Sequence, residues 1–200
     1  MGVALRVWGD RACFTRPECK VERYSYPVIT PSAARGILEA IHWKPEMSRW
    51  IIERIHVLKL GSYDSVKRNE LTMDTTKQKK GLPIQRSTTF LKDVEYVIEA
   101  RVDSIDPQLV GKHLGIFRQR ASKGQCFQRP YLGCREFTAD FELLEYPAVR
   151  YGELGNRDFG LMFFDFDRSE VGVPRAKFYC AAMVEGIIVI PHPDSEEIKC

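Results

Sequence analysis

Between Leu91 and Ile105 the sequence LKDVEYVIEARVDSI places Val94, Tyr96, Ile98, Ala100 and Val102 at every second position, with Glu95, Glu99 and Arg101 among the residues between them. Strand side chains alternate between faces, so this run is a strand whose apolar face must be covered by something else in the chain. Two helical patterns supply the cover. Thr30 followed by Pro31 is a helix start, with a hydroxyl cap and a proline whose missing N–H is harmless at the first helical position. SAARGILEAIHW then puts Ala34, Ile37, Leu38 and Ile41 on one stripe, and Pro45 ends it. A second helical pattern follows Pro107 and runs through Leu109, His113, Ile116, Phe117 and Arg120 to Gly124.

Three further strands are expected. VALRVWG at residues 3–9 alternates and meets Gly9 and Asp10, a turn signal. WIIERIHVLKL sets Ile51, Glu53, Ile55 and Val57 against Trp50, Ile52, Arg54 and His56, and EFTADFELL runs through Phe137, Ala139, Phe141 and Leu143. The order strand, helix, strand, strand, helix, strand is the split β-α-β pattern of the ferredoxin-like fold, an α+β architecture with an antiparallel sheet. Such a sheet leaves one face open, which is where the RNA recognition motif carries its ligand. Residues 61–90 have few large apolar side chains and read as an excursion or hairpin outside the core. GLMFFDFD and KFYCAAMVEGIIVIP, with a tight turn at Glu185 and Gly186, add a small C-terminal antiparallel β subdomain. The expected division is an RRM-like unit at 1–146 and a β unit at 147–200.

Composition narrows the classes. At 44% hydrophobic and 28% charged residues the chain is globular, with no repeat, no bilayer-spanning run and no secretory leader pattern, which predicts an intracellular protein that does not engage a membrane. The cysteines Cys13, Cys19, Cys126, Cys134, Cys180 and Cys200 form no C-x-x-C pair and read as reduced thiols. Net charge is only +3, so any anionic partner must be recognised by a local cluster.

That cluster lies between residues 112 and 135, where Lys112, Arg118, Arg120, Lys123, Arg129 and Arg135 occur with no Asp or Glu. Phe117 and Phe127 interleave with them, a mixture suited to phosphates and unpaired bases but also to an ordinary solvated helix face. Gly111, Lys112 and His113 fall at the expected helix start. A phosphate could be held there by free N–H groups and the lysine, with His113 titrating near neutrality; equally, His113 could face the core and Lys112 the solvent. His42 and Trp43 read as a helix C-cap and a core aromatic, and His56 and His192 as structural. Asp165 and Asp167 share a strand face but lack further ligands, so no metal or other cofactor is expected. No Walker loop, dinucleotide fingerprint, nucleophile elbow or HExxH helix occurs.

The blocks RVWGDRACFTRPECKVERYSYPVITPSAARGILEAIHWKP, VKRNE, RSTTFLKDVEYVIEA, GKHLGIFRQRASKGQCFQRPYLGCREF and VEGIIVIP together resemble, in order and over nearly the whole chain, the type I-C CRISPR-associated endoribonuclease, the d subtype of the fifth Cas family. The resemblance implies a cytoplasmic prokaryotic enzyme that binds the CRISPR repeat stem-loop. It would cut at the 3′ base without metal and stay on the crRNA 5′ handle among the backbone and large subunits of Cascade; duplex DNA is a further candidate partner. The family's adjacent Lys and His fall on Lys112 and His113. Its helix-end tyrosine, in YWKP, is replaced by His42 in HWKP.

The chemistry such cleavage needs is deprotonation of a 2′-hydroxyl, stabilisation of the charge on the phosphorane, and protonation of the departing 5′-oxygen. Two imidazoles and a lysine can supply these: His42 as base or orienting group, His113 as its acid or base partner, Lys112 as phosphorane stabiliser. The products would be a 2′,3′-cyclic phosphate and a 5′-hydroxyl. Arg118, Arg120, Lys123, Phe127, Arg129 and Arg135 would track the handle. Two rivals remain at this stage: a non-catalytic scaffold that caps the handle, kept open by His42, and a domain that only mediates protein contacts.

Overall fold

The computed structural model describes residues 1–19, 21–45, 47–71, 83–104, 106–148, 154–167 and 174–199. Strand β1 (Val3–Ala12) is followed by the two-residue β2 (Arg23–Tyr24), helix α1 (Pro31–Ile41), β3 (Met47–Lys59), β4 (Ser62–Leu71) and β5 (Pro83–Ser104). A single 3-10 turn (Pro107–Leu109) leads into α2 (Val110–Ala121), after which come β6 (Asp140–Leu144), β7 (Arg157–Asp167), β8 (Arg175–Val184) and β9 (Ile187–Val189). The strands join one sheet in the order β6-β1-β5-β3-β9-β8-β7, with β2 and β4 paired to the first half of β5.

The alternation in β5 does what its spacing requires. Val94, Tyr96, Ile98, Ala100 and Val102 all enter one core with Leu5 and Val7 of β1 and with Ile37, Leu38, Ile41, Leu114 and Phe117 of the two helices. Both helices therefore cover the same face. α1 starts as the sequence indicates, with the Thr30 side chain accepting from the Ala33 amide and Pro31 in the first turn. It stops at Ile41, four residues short of Pro45; His42 has left the helix with φ −153° while its N–H still donates to the Leu38 carbonyl.

Two strand expectations need correction, the alternation of β3 and the start of β6. Strict alternation in β3 fails because a bulge lies between Ile52 and Arg54, so Trp50 and Ile52 share the core with Ile55 and Val57. The strand expected from residue 136 begins only at Asp140. Part of the excursion at 61–90 is an antiparallel ladder running from Ser62 opposite Lys92 to Leu71 opposite Pro83; residues 72–82 lie outside the described residues. The C-terminal strands are continuous with the rest of the sheet, since β9 pairs with β3 through Arg54 opposite Val189. Glu185 and Gly186 form the tight β8–β9 turn, with φ of 50° and 80°, and the left-handed conformation there favours glycine.

The face away from the helices is not an open RNA platform. Arg6 pairs with Glu95 at 2.6 Å, Arg54 with Glu99 at 3.2 Å and Arg101 with Glu53 at 3.4 Å, so its cations are matched by carboxylates. Residues 146–148 also cross it: Tyr146 Oη donates to Glu53 and the Ala148 amide to Glu99. A nucleic-acid backbone would meet acid there as often as base.

Candidate active site

α1 and α2 lie side by side on the covered face, and their meeting brings two imidazoles together. His42, one residue past the end of α1, places Nε2 3.1 Å from Nδ1 of His113 in α2. The rings are tilted by 30° with centroids 5.4 Å apart, and they are 0% and 1% exposed. Arg120, two turns further along α2, donates through Nη1 to the Ile41 carbonyl at 3.0 Å and lies 3.5 Å from His42 Nδ1. A guanidinium can only donate, so His42 Nδ1 is the acceptor. A neutral His42 accepting there carries its proton on Nε2, facing His113 Nδ1, and a neutral His113 accepting on Nδ1 carries its own on Nε2. That nitrogen is buried without a hydrogen-bond partner, an arrangement costing about 1–3 kcal/mol.

The main chain at this junction is gripped from three directions. Trp50 Nε1 of β3 donates to the His42 carbonyl at 2.9 Å, Arg120 holds Ile41, and the Phe127 and Gln128 amides both donate to the Ala40 carbonyl at 2.9 and 3.2 Å. The last carbonyls of a helix have no partner within it, and here the rest of the fold provides them. Trp50 is itself fixed against Phe117, with ring centroids 4.9 Å apart.

Gly111 and Lys112 fall in the first turn of α2, which follows directly on a 3-10 turn. The helical path begins at Pro107, and the carboxylate of Asp106 caps it by accepting from the Gln108 amide at 2.9 Å. That carboxylate serves the 3-10 turn, one turn before α2, whose own start at Leu109 has no side-chain cap. Lys112 is exposed on a different side of α2 from the buried His113.

The profile of the family described as "CRISPR-associated protein (Cas_Cas5)", subtype Cas5d, matches residues 2–190. The chain belongs to the Cas5d family. It is 43% identical, over 98% of both sequences, to a protein of Mannheimia succiniciproducens named CRISPR pre-crRNA endoribonuclease Cas5d. A Thermus thermophilus protein of the same name is 40% identical, with 97% of this chain and 93% of that one aligned. Among solved structures, a "CRISPR-associated Protein" superposes with a TM-score of 0.72 at 25% identity, covering 100% of this chain and 97% of the other. A chain of a "CRISPR RNA-guided surveillance complex" shares the fold at a TM-score of 0.51 and 16% identity, over 70% of this chain and 60% of that one.

The basic residues singled out for this Cas5d chain divide into two groups. Arg118 donates to the Gly2 carbonyl at 2.7 Å, Arg120 serves the α1 terminus, and Arg129 pairs with Asp140. Lys123 and Arg135 are exposed, as is Phe127. Trp43, expected in the core, is 48% exposed, because α1 ends before it and Pro45 carries the chain away. Trp50 was not anticipated as a site residue; its position eight residues after His42 gives no sequence signal. Asp165 and Asp167 are neutralised by Arg35 and by Lys177, the latter at 2.8 Å. No group of three His, Cys, Asp or Glu among the described residues is arranged to hold a metal ion, and no described helix is long and apolar enough to cross a membrane.

Proposed function

We propose that this protein is a CRISPR precursor-RNA processing endoribonuclease that binds the repeat stem-loop and cleaves at its 3′ base by attack of the 2′-hydroxyl, without metal. The observation that carries the reading is the His42–His113 pair, joined to Arg120, in a chain 43% identical to a protein named CRISPR pre-crRNA endoribonuclease Cas5d. His42 orients His113 through the Nε2–Nδ1 bond and takes the 2′-hydroxyl proton only when its Nδ1 is released from Arg120, His113 gives its Nε2 proton to the departing 5′-oxygen, and the exposed Lys112 ammonium stabilises the phosphorane. The products are a 2′,3′-cyclic phosphate and a 5′-hydroxyl. Because both rings are covered, productive binding must draw them open to the RNA.

The β1-α1-β3-β5-α2-β6 path, in sheet order β6-β1-β5-β3, supports a ferredoxin-like, RRM-like unit over 1–146, with 147–200 as its β extension. RNA then approaches the helix side near Lys112, Lys123, Phe127 and Arg135, with Arg118, Arg120 and Arg129 shaping that surface. The fold shared with a chain of a surveillance complex supports retention on the crRNA 5′ handle in type I-C Cascade beside its backbone and large subunits, in the prokaryotic cytoplasm. The burial of both imidazoles favours one alternative, a scaffold that caps the handle without cutting.

Incubation of the protein with a labelled repeat stem-loop in EDTA, beside the same RNA bearing a 2′-deoxy at the scissile nucleotide, separates the two. Cleavage of only the first RNA, leaving a cyclic phosphate, is the expected result. Binding of both RNAs without cleavage overturns the enzyme reading.

A further inference from the structure

The end of α1 and the loop after α2 enclose a groove of about 480 Å³ that the cleavage chemistry does not use. It is lined by Trp43, Lys44, Arg120, Phe127, Gln128 and Tyr131, with Glu39 at its edge. Its size lies in the range of small-molecule sites, roughly 300–1,000 Å³. Phe127 is 86% exposed and Trp43 48%, although a soluble protein gains by hiding such rings. Phe127 is no frayed residue: its amide donates to Ala40 at 2.9 Å and that of Gln128 to the same oxygen at 3.2 Å. The backbone is fixed and presents the ring to water. A lone exposed aromatic is ordinary, but two exposed rings on one groove with two cations are not.

We infer that this groove, resting on the endoribonuclease reading, is a stacking site for one unpaired nucleobase of the repeat RNA beside the scissile phosphate. Three observations select a nucleobase over an apolar side chain. The rings offer π faces for stacking, Lys44 and Arg120 offer positive charge to flanking phosphates, and the exposed Gln128 amide can both donate to and accept from a base edge. The one carboxylate among the described lining residues, Glu39, shares Arg35 with Asp165 and is outnumbered in the groove by Lys44 and Arg120. Arg120 connects the groove to the chemistry, since the same guanidinium contacts the Ile41 carbonyl and approaches His42 Nδ1. A base seated here would fix which phosphate faces the imidazole pair, making Trp43 and Phe127 positioning residues.

The test uses the full chain and a repeat stem-loop carrying 2-aminopurine at each unpaired position in turn. One position near the cleavage site should lose fluorescence on binding. Phe127→Ala should abolish that quenching and weaken binding about 5- to 150-fold, Phe127→Trp should restore both, and an abasic nucleotide at that position should erase the difference between the variants. Trp43→Phe should keep partial quenching. Unchanged affinity and quenching in Phe127→Ala, or equal loss on the native and abasic RNAs, would overturn the inference. The two readings fail separately: quenching without cleavage upholds the stacking site and removes the enzyme, whereas cleavage without quenching at any position does the reverse.

Discussion

His56 and His113 are equally hidden, at 2% and 1% exposure, yet their surroundings give them different work. His56 lies on the sheet face away from the helices, with Nε2 3.3 Å from the buried Glu99 carboxylate, whose other oxygen meets Arg54 at 3.2 Å. Burial holds its pKa below the ordinary histidine value, and Glu99 only partly opposes that shift. Among the described residues His113 pairs with no carboxylate; its neighbour is another imidazole, and its outer nitrogen is buried without a partner. A histidine facing an acid is a structural strut in a charge network. One facing a second imidazole sits in a chain along which a proton can move, with a donor at the end left over for a substrate.

The largest test of this contrast is His113→Ala. It should lower single-turnover cleavage in EDTA about 100- to 10,000-fold while repeat affinity stays within about twofold. His56→Gln should leave the rate nearly unchanged; equal losses from the two variants would erase the distinction. Next in size, Glu99→Ala should cost about 1–3 kcal/mol in urea unfolding, because it leaves the buried His56 and the Ala148 amide without their acceptor while Arg54 stays half in solvent. Trp50→Phe should cost about 1–3 kcal/mol by removing the donor to the His42 carbonyl, and should slow cleavage more than it weakens binding. A rate and stability both at the wild-type level would show that the clamp on His42 is idle.

The smallest effect concerns pH. The His56 pKa is depressed in the folded state, so below about 6.5 the unfolded chain takes up this proton more readily than the native one. Stability should therefore be complete above about pH 6.5, fall as the pH drops, and level off below the folded pKa. Urea midpoints at about pH 7.5 and about 5.5 should differ less in His56→Gln than in the wild type.

How far the sequence reveals this molecule depends on whether a residue's fate is local. The alternation of β5, the Thr30-Pro31 helix start and the Glu185-Gly186 turn are settled by neighbours in the chain and could be read directly. β4 could be read only as a candidate hairpin, because its half-buried face carries Val66, Arg68 and Glu70, without an apolar stripe, and it is held by backbone pairing to β5. The bulge after Ile52 reverses which β3 residues face the core, and nothing in the letters marks it. In the site, His42 and His113 were each visible as candidates, but their 3.1 Å approach depends on how two helices seat on one sheet. The basic run holds two kinds of residue. Arg118, Arg120 and Arg129 bind carbonyls or a carboxylate of the protein itself, and a one-dimensional count treats them like the exposed Lys123 and Arg135.

The three grips on the end of α1 share a property that bears on the residue they support. Trp50, Arg120 and the 127–128 amides all take hold of main-chain oxygens, those of His42, Ile41 and Ala40. These grips hold the main chain whatever side chain stands at 42, and only the approach of Arg120 to Nδ1 depends on the ring. A different ring at position 42 would leave its Cα in place and change only what meets Arg120 and His113.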